Sequence, residues 1–348
     1  MRSDRLSNIE LLRCVLMLMV VVIHFLGHNL LSAAEPIDTS NPHFYTANML
    51  LCFCECAVDC FVLISGWFLI KFTVSKLIMF LLPIAFYQFV LSIIYHIADD
   101  SPLSINAFEY WFVRPYVALM IVSPLLNLGL KNIEKKKLTI LLALLTLIFV
   151  LPIQSLSGMD GKNAFIFIYI YCFGYYLKNY INNNHSKWMY LCLFVLTVGL
   201  NYVVTVVLAK VGHYQGTATP SYRYDNVLII LQAVFLLLFF SKLNFKNKIV
   251  NSIAVSSFFV YIITENLNVF SNPHYSIYKI LDVRTWETEP YFVIRILVAS
   301  IALFVAAIVI DEIRRLAFGK LEQVLLEKLS SIEQKYLGNI NADTTKNL

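Results

Sequence analysis

Charge is what this sequence has least of. Of 348 residues, 22 are acidic and 27 basic, 14% in all, while 59% are apolar; a soluble domain carries about 25% charged residues. So few charges cannot cover a water-facing surface of this size, which excludes a soluble globular protein. The 26 Phe and 20 Tyr exclude disorder, because that much apolar surface collapses. Catalytic and transport signatures are missing too. There is no Gly-rich phosphate loop, no G-x-S-x-G elbow, no H-E-x-x-H and no Arg-rich voltage-sensor helix. Evenly repeated acidic residues, the mark of a proton or sodium pathway, are absent, and so is any internal repeat, which disfavours transporters built from two similar halves. A net charge of +5 needs no nucleic-acid partner.

What the chain has instead is a series of apolar runs, each long enough to cross a bilayer. Ten spans are expected, at 9–31, 47–70, 76–97, 108–130, 138–153, 164–178, 188–209, 226–241, 249–271 and 291–311, separated by turn-forming segments such as Ser101-Pro102, Thr219-Pro220-Ser221 and Asn272-Pro273. The fold class is all-α: a polytopic integral membrane protein of about ten transmembrane helices. With the N-terminus in the cytoplasm, 19 of the 27 basic residues fall on the cytoplasmic side and five on the other, leaving Arg13, Arg114 and Arg295 in or near the membrane. The positive-inside rule then places both termini in the cytoplasm. Arg2, Arg5 and the following apolar run mimic a signal peptide, but the run is too long and is interrupted by Arg13 and His24, so it reads as an uncleaved first span. The expected organisation is a transmembrane domain over 1–311, a cytoplasmic amphipathic helix over 312–340 and a disordered tail over 341–348. In the second segment Phe318, Leu321, Leu325, Leu329 and Ile332 recur at helical spacing, which suits a helix lying on an anionic inner leaflet. No oligomeric state is read from the spans, which all have apolar and aromatic faces.

All seven cysteines fall inside expected spans, so no disulfide framework is expected. Cys52-Phe53-Cys54-Glu55-Cys56 invites a metal reading, yet a helix puts only Cys52, Cys56 and Cys60 on one face, and no His stands at a matching offset. They read as packing residues. No metal site is expected.

An ionisable side chain in hydrocarbon costs a few kcal/mol or more, so each one is a candidate for function. The first span is the richest. Arg13 and His24 are eleven residues apart, about 20° short of three full turns, and so share a face about 16.5 Å apart along the axis. Glu10 lies three residues before Arg13 and can pair with it; His28 follows His24 by one turn. The bland alternatives are a snorkelling arginine and an interhelical hydrogen bond from the histidine. The second span adds Glu55 and Asp59, four apart, either of which suits orienting the imidazole or balancing Arg13. The fourth span opens with Glu109, Tyr110, Trp111 and Arg114, where aromatic anchors and a ligand-binding arginine are both consistent with the outer surface. The ninth span carries Thr264-Glu265-Asn266 in its outer half, and Glu265 lies inside the apolar run rather than at its end.

These residues, taken together, resemble the membrane-bound acyltransferase 3 family, bacterial O-acetyltransferases of surface polysaccharides. The resemblance is carried by Arg5 to Arg13 (R-L-S-N-I-E-L-L-R), the R-x10-H pair Arg13/His24, the segment Asp59 to Ile70 (D-C-F-V-L-I-S-G-W-F-L-I), Trp111 to Asn127, and Ser257 to Asn266. It implies a bacterial plasma-membrane protein that moves an acyl group from cytoplasmic acetyl-CoA, bound as donor and not as a permanent cofactor, to a hydroxyl of a glycan or lipid-linked sugar, with membrane lipids around it. His24 matches the family's essential histidine and Arg13 its partnered arginine. Two departures stand out. A His often found near the Thr264-Glu265 position is absent, so the resemblance assigns the ninth span no role. An Arg-rich cytoplasmic motif is replaced by Lys71 and Lys76, which are left, with Lys131 to Lys137, to meet the CoA phosphates.

The expected reaction has Arg13 positioning the pantetheine or phosphate end of CoA and His24 acting as general base, or as a transient acyl carrier. Glu10, Glu55, Asp59, Lys71 and Lys76 support the donor side; Trp111, Arg114 and Glu265 serve the acceptor side. The rival reading is a transporter of a small polar solute that uses the same polar stripe as its path.

Overall fold

The computed structural model describes residues 6–99, 103, 106–150, 159–181, 184–269, 281, 285 and 290–337. Arg5, the tail 341–348 and the last residues of the 312–340 segment therefore lie outside the described residues. Among those described, the regular elements are all helical: α1 Ser7–Gly27, α2 Phe44–Cys54, α3 Ala57–Phe68, α4 Val74–Asp99, α5 Val113–Asn132, α6 Lys135–Phe149, α7 Ala164–Tyr180, α8 Lys187–Lys210, α9 Val227–Ser241, α10 Lys248–Val269 and α11 Phe292–Leu337. Helices are what a bilayer demands, since each backbone amide must find its partner within the segment. Polar residues start several of them. Asn163 accepts from the amides of Phe165 and Ile166, Ser186 from Trp188, Asn226 from Leu228 and Asn247 from Ile249 and Val250, satisfying amides a helix leaves open at its start.

Among the described residues, eight segments are long and apolar enough to cross a membrane, α2 and α3 counting as one. The chain is a polytopic helical membrane protein. The runs at 138–153 and 164–178 form α6 and α7, of 15 and 17 residues, as expected. One expectation needs correcting. The second span is not one continuous helix: it turns at Glu55-Cys56 between α2 and α3, so Glu55 ends one helix and Asp59 opens the next. At the other extreme α11 runs 46 residues without a break at residue 311. That is about 69 Å, more than twice the hydrocarbon thickness, so much of it projects beyond the membrane.

The helices differ in what surrounds them. Leu12, Leu16, Val21, Phe25 and Leu26 of α1 are fully buried, because α1 is enclosed by α2, α3, α9, α10 and α11. By contrast, α6 exposes Leu144 and Leu147, and α8 exposes Val195, Leu196, Leu200 and Val203, the apolar faces expected against lipid. The tightest crossing joins α3 to α7. A Cβ placed on Gly66 would stand 1.9 Å from the Tyr171 carbonyl oxygen, and one on Gly174 would stand 2.3 Å from that of Leu63. Two hydrogen side chains thus let the backbones meet, as small residues do in membrane bundles. This crossing also fixes the chain beyond α3. Leu69 adopts φ 58°, a conformation disfavoured for a branched side chain. The next residue is clamped: Ile70 N donates to Tyr171 Oη at 2.9 Å and its carbonyl accepts from Asn127 Nδ2 at 2.8 Å.

The far end of α11 packs against the start of α4. Glu333 accepts from the amides of Val74 and Ser75 at 2.8 and 3.0 Å and from the Ser75 hydroxyl at 2.6 Å. A carboxylate on the opening amides of a helix is favoured by both hydrogen bonding and the helix dipole. Further back along α11, Asp311 accepts from Tyr87 Oη and from Arg314 Nε, each at 2.8 Å, tying α11 to α4 a second time.

Candidate active site

The polar stripe of α1 is one wall of a cavity of about 440 Å³. Arg13, Met17, Val20 and His24, at offsets of four, seven and eleven residues, all line it, and these offsets fall on one helical face. The opposite walls come from α3 (Phe61, Ser65), α5 and the residue that caps it (Tyr116, Phe112) and α10 (Phe258, Tyr261). A mostly apolar, elongated chamber with a few convergent polar groups is the usual form of a small-molecule site. Its walls are packed rings: Phe112 stacks on Tyr116 at 5.2 Å, and Tyr261 lies 5.7 Å from Tyr110, whose hydroxyl donates to the Ile262 carbonyl at 3.1 Å.

Arg13 stands at the end of the cavity nearer the N-terminus. Its Nη1 is 3.3 Å from Glu10 Oε1, so the pairing expected from their spacing forms, and the guanidinium, partly exposed, still faces the chamber. His24 is buried near the other end. Its Nε2 lies 3.2 Å from Glu265 Oε2, and its Nδ1 3.3 Å from Thr264 Oγ1. Glu265 also meets His28 Nε2 at 3.2 Å. The carboxylate that reaches the imidazole therefore comes from α10, not from the second span.

The carboxyls of that span are placed elsewhere. Glu55 sits near Tyr224 and Lys162. Asp59 is fully buried, and neither of its oxygens has a hydrogen-bond partner among the described residues. Lys71 and Lys76 are exposed just before and within the start of α4, where Lys76 Nζ donates to the Lys71 carbonyl at 2.9 Å. Of the aromatic segment before α5, Trp111 lines the cavity, stacked on Tyr224 at 5.1 Å with Lys162 Nζ 5.3 Å above its ring. Arg114 does not line it; its guanidinium is exposed and donates to the Phe108 carbonyl, while Glu109 accepts from Gln88 Nε2 at 3.3 Å. The cysteines form no disulfide; Cys52 faces Thr205 and Tyr222.

Three contributors escaped the sequence reading: Lys162, Tyr224 and Tyr261. Lys162 and Tyr224 lie in connections, where aromatic and basic residues read as interfacial anchors. Tyr261 Oη is buried without a hydrogen-bond partner among the described residues, and at one helical turn before Glu265 it was legible only once α10 was known to face His24, 5.9 Å from ring to ring.

The arrangement gives an imidazole with one nitrogen on a carboxylate and the other on a hydroxyl, at the end of a chamber that reaches an arginine three turns away. A carboxylate on one nitrogen orients the ring and favours positive charge on it, leaving the other nitrogen to take a proton. Among known proteins, the profile of the acyltransferase 3 family, described as an acyltransferase domain, matches residues 6–311. No curated protein and no solved structure matches significantly. With that profile spanning the whole cavity and both ends of its polar stripe, the chain belongs to the acyltransferase 3 family and is a multi-pass membrane acyltransferase.

Proposed function

We propose that the protein transfers an acetyl group from cytoplasmic acetyl-CoA to a hydroxyl of a cell-surface or exported polysaccharide, with both termini on the cytoplasmic side of a bacterial plasma membrane. The observation that carries this reading is the single chamber lined by Arg13 at one end and His24 at the other, with Glu265 on the imidazole. Arg13 takes an anionic or polar part of the donor, and the thin pantetheine arm follows the apolar wall toward His24. With Nε2–H held by Glu265, Nδ1 carries the free lone pair. Thr264 Oγ1 now stands on it, in the position the acceptor hydroxyl takes.

The acceptor oxygen attacks the thioester carbonyl as its proton passes to Nδ1. The carbon–sulfur bond then breaks, and the departing thiolate recovers that proton from the imidazolium, which Glu265 stabilises meanwhile. Contacts of 3.2 and 3.3 Å are long for catalysis, as is usual before substrate tightens a site. In the covalent variant, Nδ1 itself accepts the acetyl group before the hydroxyl does. Trp111, Tyr224 and Lys162 form the acceptor end, a ring pair suited to a sugar face. Lys71 and Lys76 meet the donor's phosphates.

The test is acetyl transfer from labelled acetyl-CoA by the protein in proteoliposomes, alongside mass and proton spectra of the surface glycan with and without the gene. Loss of the glycan acetyl signal, and of transfer in His24→Ala, is expected. Full transfer by His24→Ala while Arg13→Ala is dead would overturn the base assignment. Solute uptake without any acetyl transfer would replace the reading with transport.

A further inference from the structure

Glu265 Oε2 is equidistant, at 3.2 Å, from two imidazole nitrogens, His24 Nε2 and His28 Nε2, and the three atoms lie within 4.8 Å of one another. Donor atoms held tetrahedrally about 2.0–2.1 Å from a zinc ion stand roughly 3.4 Å apart, close to both contacts. His24 stands in the last turn of α1 and His28 caps its end, four residues on, the spacing by which a helix presents two imidazoles to a metal. The carboxylate arrives from α10. Two imidazoles and one carboxylate make a three-ligand set with a fourth position open. The support such a site needs is also present. Thr264 Oγ1 meets His24 Nδ1, holding the ring at its other nitrogen, and the His28 side chain, 31% exposed, leaves an entry path.

We propose that His24, His28 and Glu265 bind a divalent transition metal of the zinc type, and that its occupancy silences acyl transfer. The second half rests on the reading of His24 as base. A metal takes the Nε2 lone pair, and the single proton of the neutral ring then belongs on Nδ1, donated to Thr264 Oγ1. Thr264 turns its own hydroxyl toward the Tyr261 carbonyl, 3.4 Å away. No proton is gained or lost, but the lone pair that receives the acceptor's proton is gone. Glu265 is consumed as well, its charge spent on the ion instead of on an imidazolium. Two imidazole nitrogens in the set select nitrogen-preferring metals over Mg²⁺ or Ca²⁺.

The full-length protein in detergent is titrated with Co²⁺, whose ligand-field absorption reports a tetrahedral site, and then with Zn²⁺ in competition. One Co²⁺ per chain, displaced by Zn²⁺, is expected. His28→Ala, and His28→Gln as a size-conserving control, should weaken binding at least about 100-fold, since a direct ligand matters no less than the groups behind it. In the transfer assay Zn²⁺ should inhibit the wild type, while the transfer that His28→Ala retains resists inhibition. The site is overturned if no stoichiometric Co²⁺ band forms, or if the band survives in both His28 variants. The silencing is overturned if bound Zn²⁺ leaves transfer unchanged or raises it. Because the Co²⁺ spectrum needs no turnover, a protein that binds metal but transfers no acetyl group would keep the site and refute only the proposed reaction.

Discussion

Replacing Glu265 with Gln is the sharpest test of the proposed dyad, because it keeps the shape of the side chain and removes only its charge. The carboxylate lies 3.2 Å from His24 Nε2 and its side chain is 14% exposed, so solvent screens it little. When the imidazole takes a proton, a unit charge pair at that distance and an effective dielectric near 20 is worth about 5 kcal/mol. That energy is present only while the ring is charged, so it lowers the barrier without strengthening donor binding. A loss of about 5 kcal/mol corresponds to a fall in kcat of roughly 10³- to 10⁴-fold, the size seen when a triad's orienting carboxylate becomes an amide. The amide can also turn its NH₂ toward Nε2 and impose the wrong tautomer, which acts in the same direction. The assay is transfer from labelled acetyl-CoA in proteoliposomes, with kcat and KM measured separately and His24→Ala as the floor. Glu265→Gln should fall to within about tenfold of that floor with its KM for acetyl-CoA nearly unchanged. Transfer within about threefold of wild type, or a loss seen wholly in KM, would refute the reasoning.

Arg13→Ala should raise KM for acetyl-CoA more than it lowers kcat, as removal of a binding group does, measured in the same assay. Trp111→Ala should impair use of the glycan acceptor while leaving slow acetyl-CoA hydrolysis, whereas Arg114→Ala, exposed and turned to a backbone carbonyl outside the chamber, should leave both near wild type. Gly66→Ala should be severely destabilising: its Cβ would stand 1.9 Å from the Tyr171 carbonyl, and overpacking of a tight core costs about 1–3 kcal/mol or more. Gly129→Ala, with nothing within 4 Å, is the control that should hold its Tm in a detergent melt.

Much of the architecture was legible because membranes read composition. Apolar runs long enough to cross, with lysines and arginines between them, announce helices whatever their neighbours. The turn at Glu55-Cys56 was not, since a run of apolar residues carries no mark of where a helix bends inside it. The stripe on α1 was legible for a related reason: Arg13, His24 and the turns between them belong to one helix, and helical periodicity alone sets their direction.

What required the fold was every partnership across helices. Glu265 is 241 residues from His24, and no local rule separates it from Glu55 or Asp59 as the carboxylate that meets the imidazole; the packing of α10 along α1 made that choice. The same packing set two histidines of one helix against a carboxylate of another, a cluster that no spacing within either segment reveals. Local periodicity determined which groups point inward together. Only the tertiary structure, where apolar faces and two glycines decide how close helices come, determined which of those groups touch.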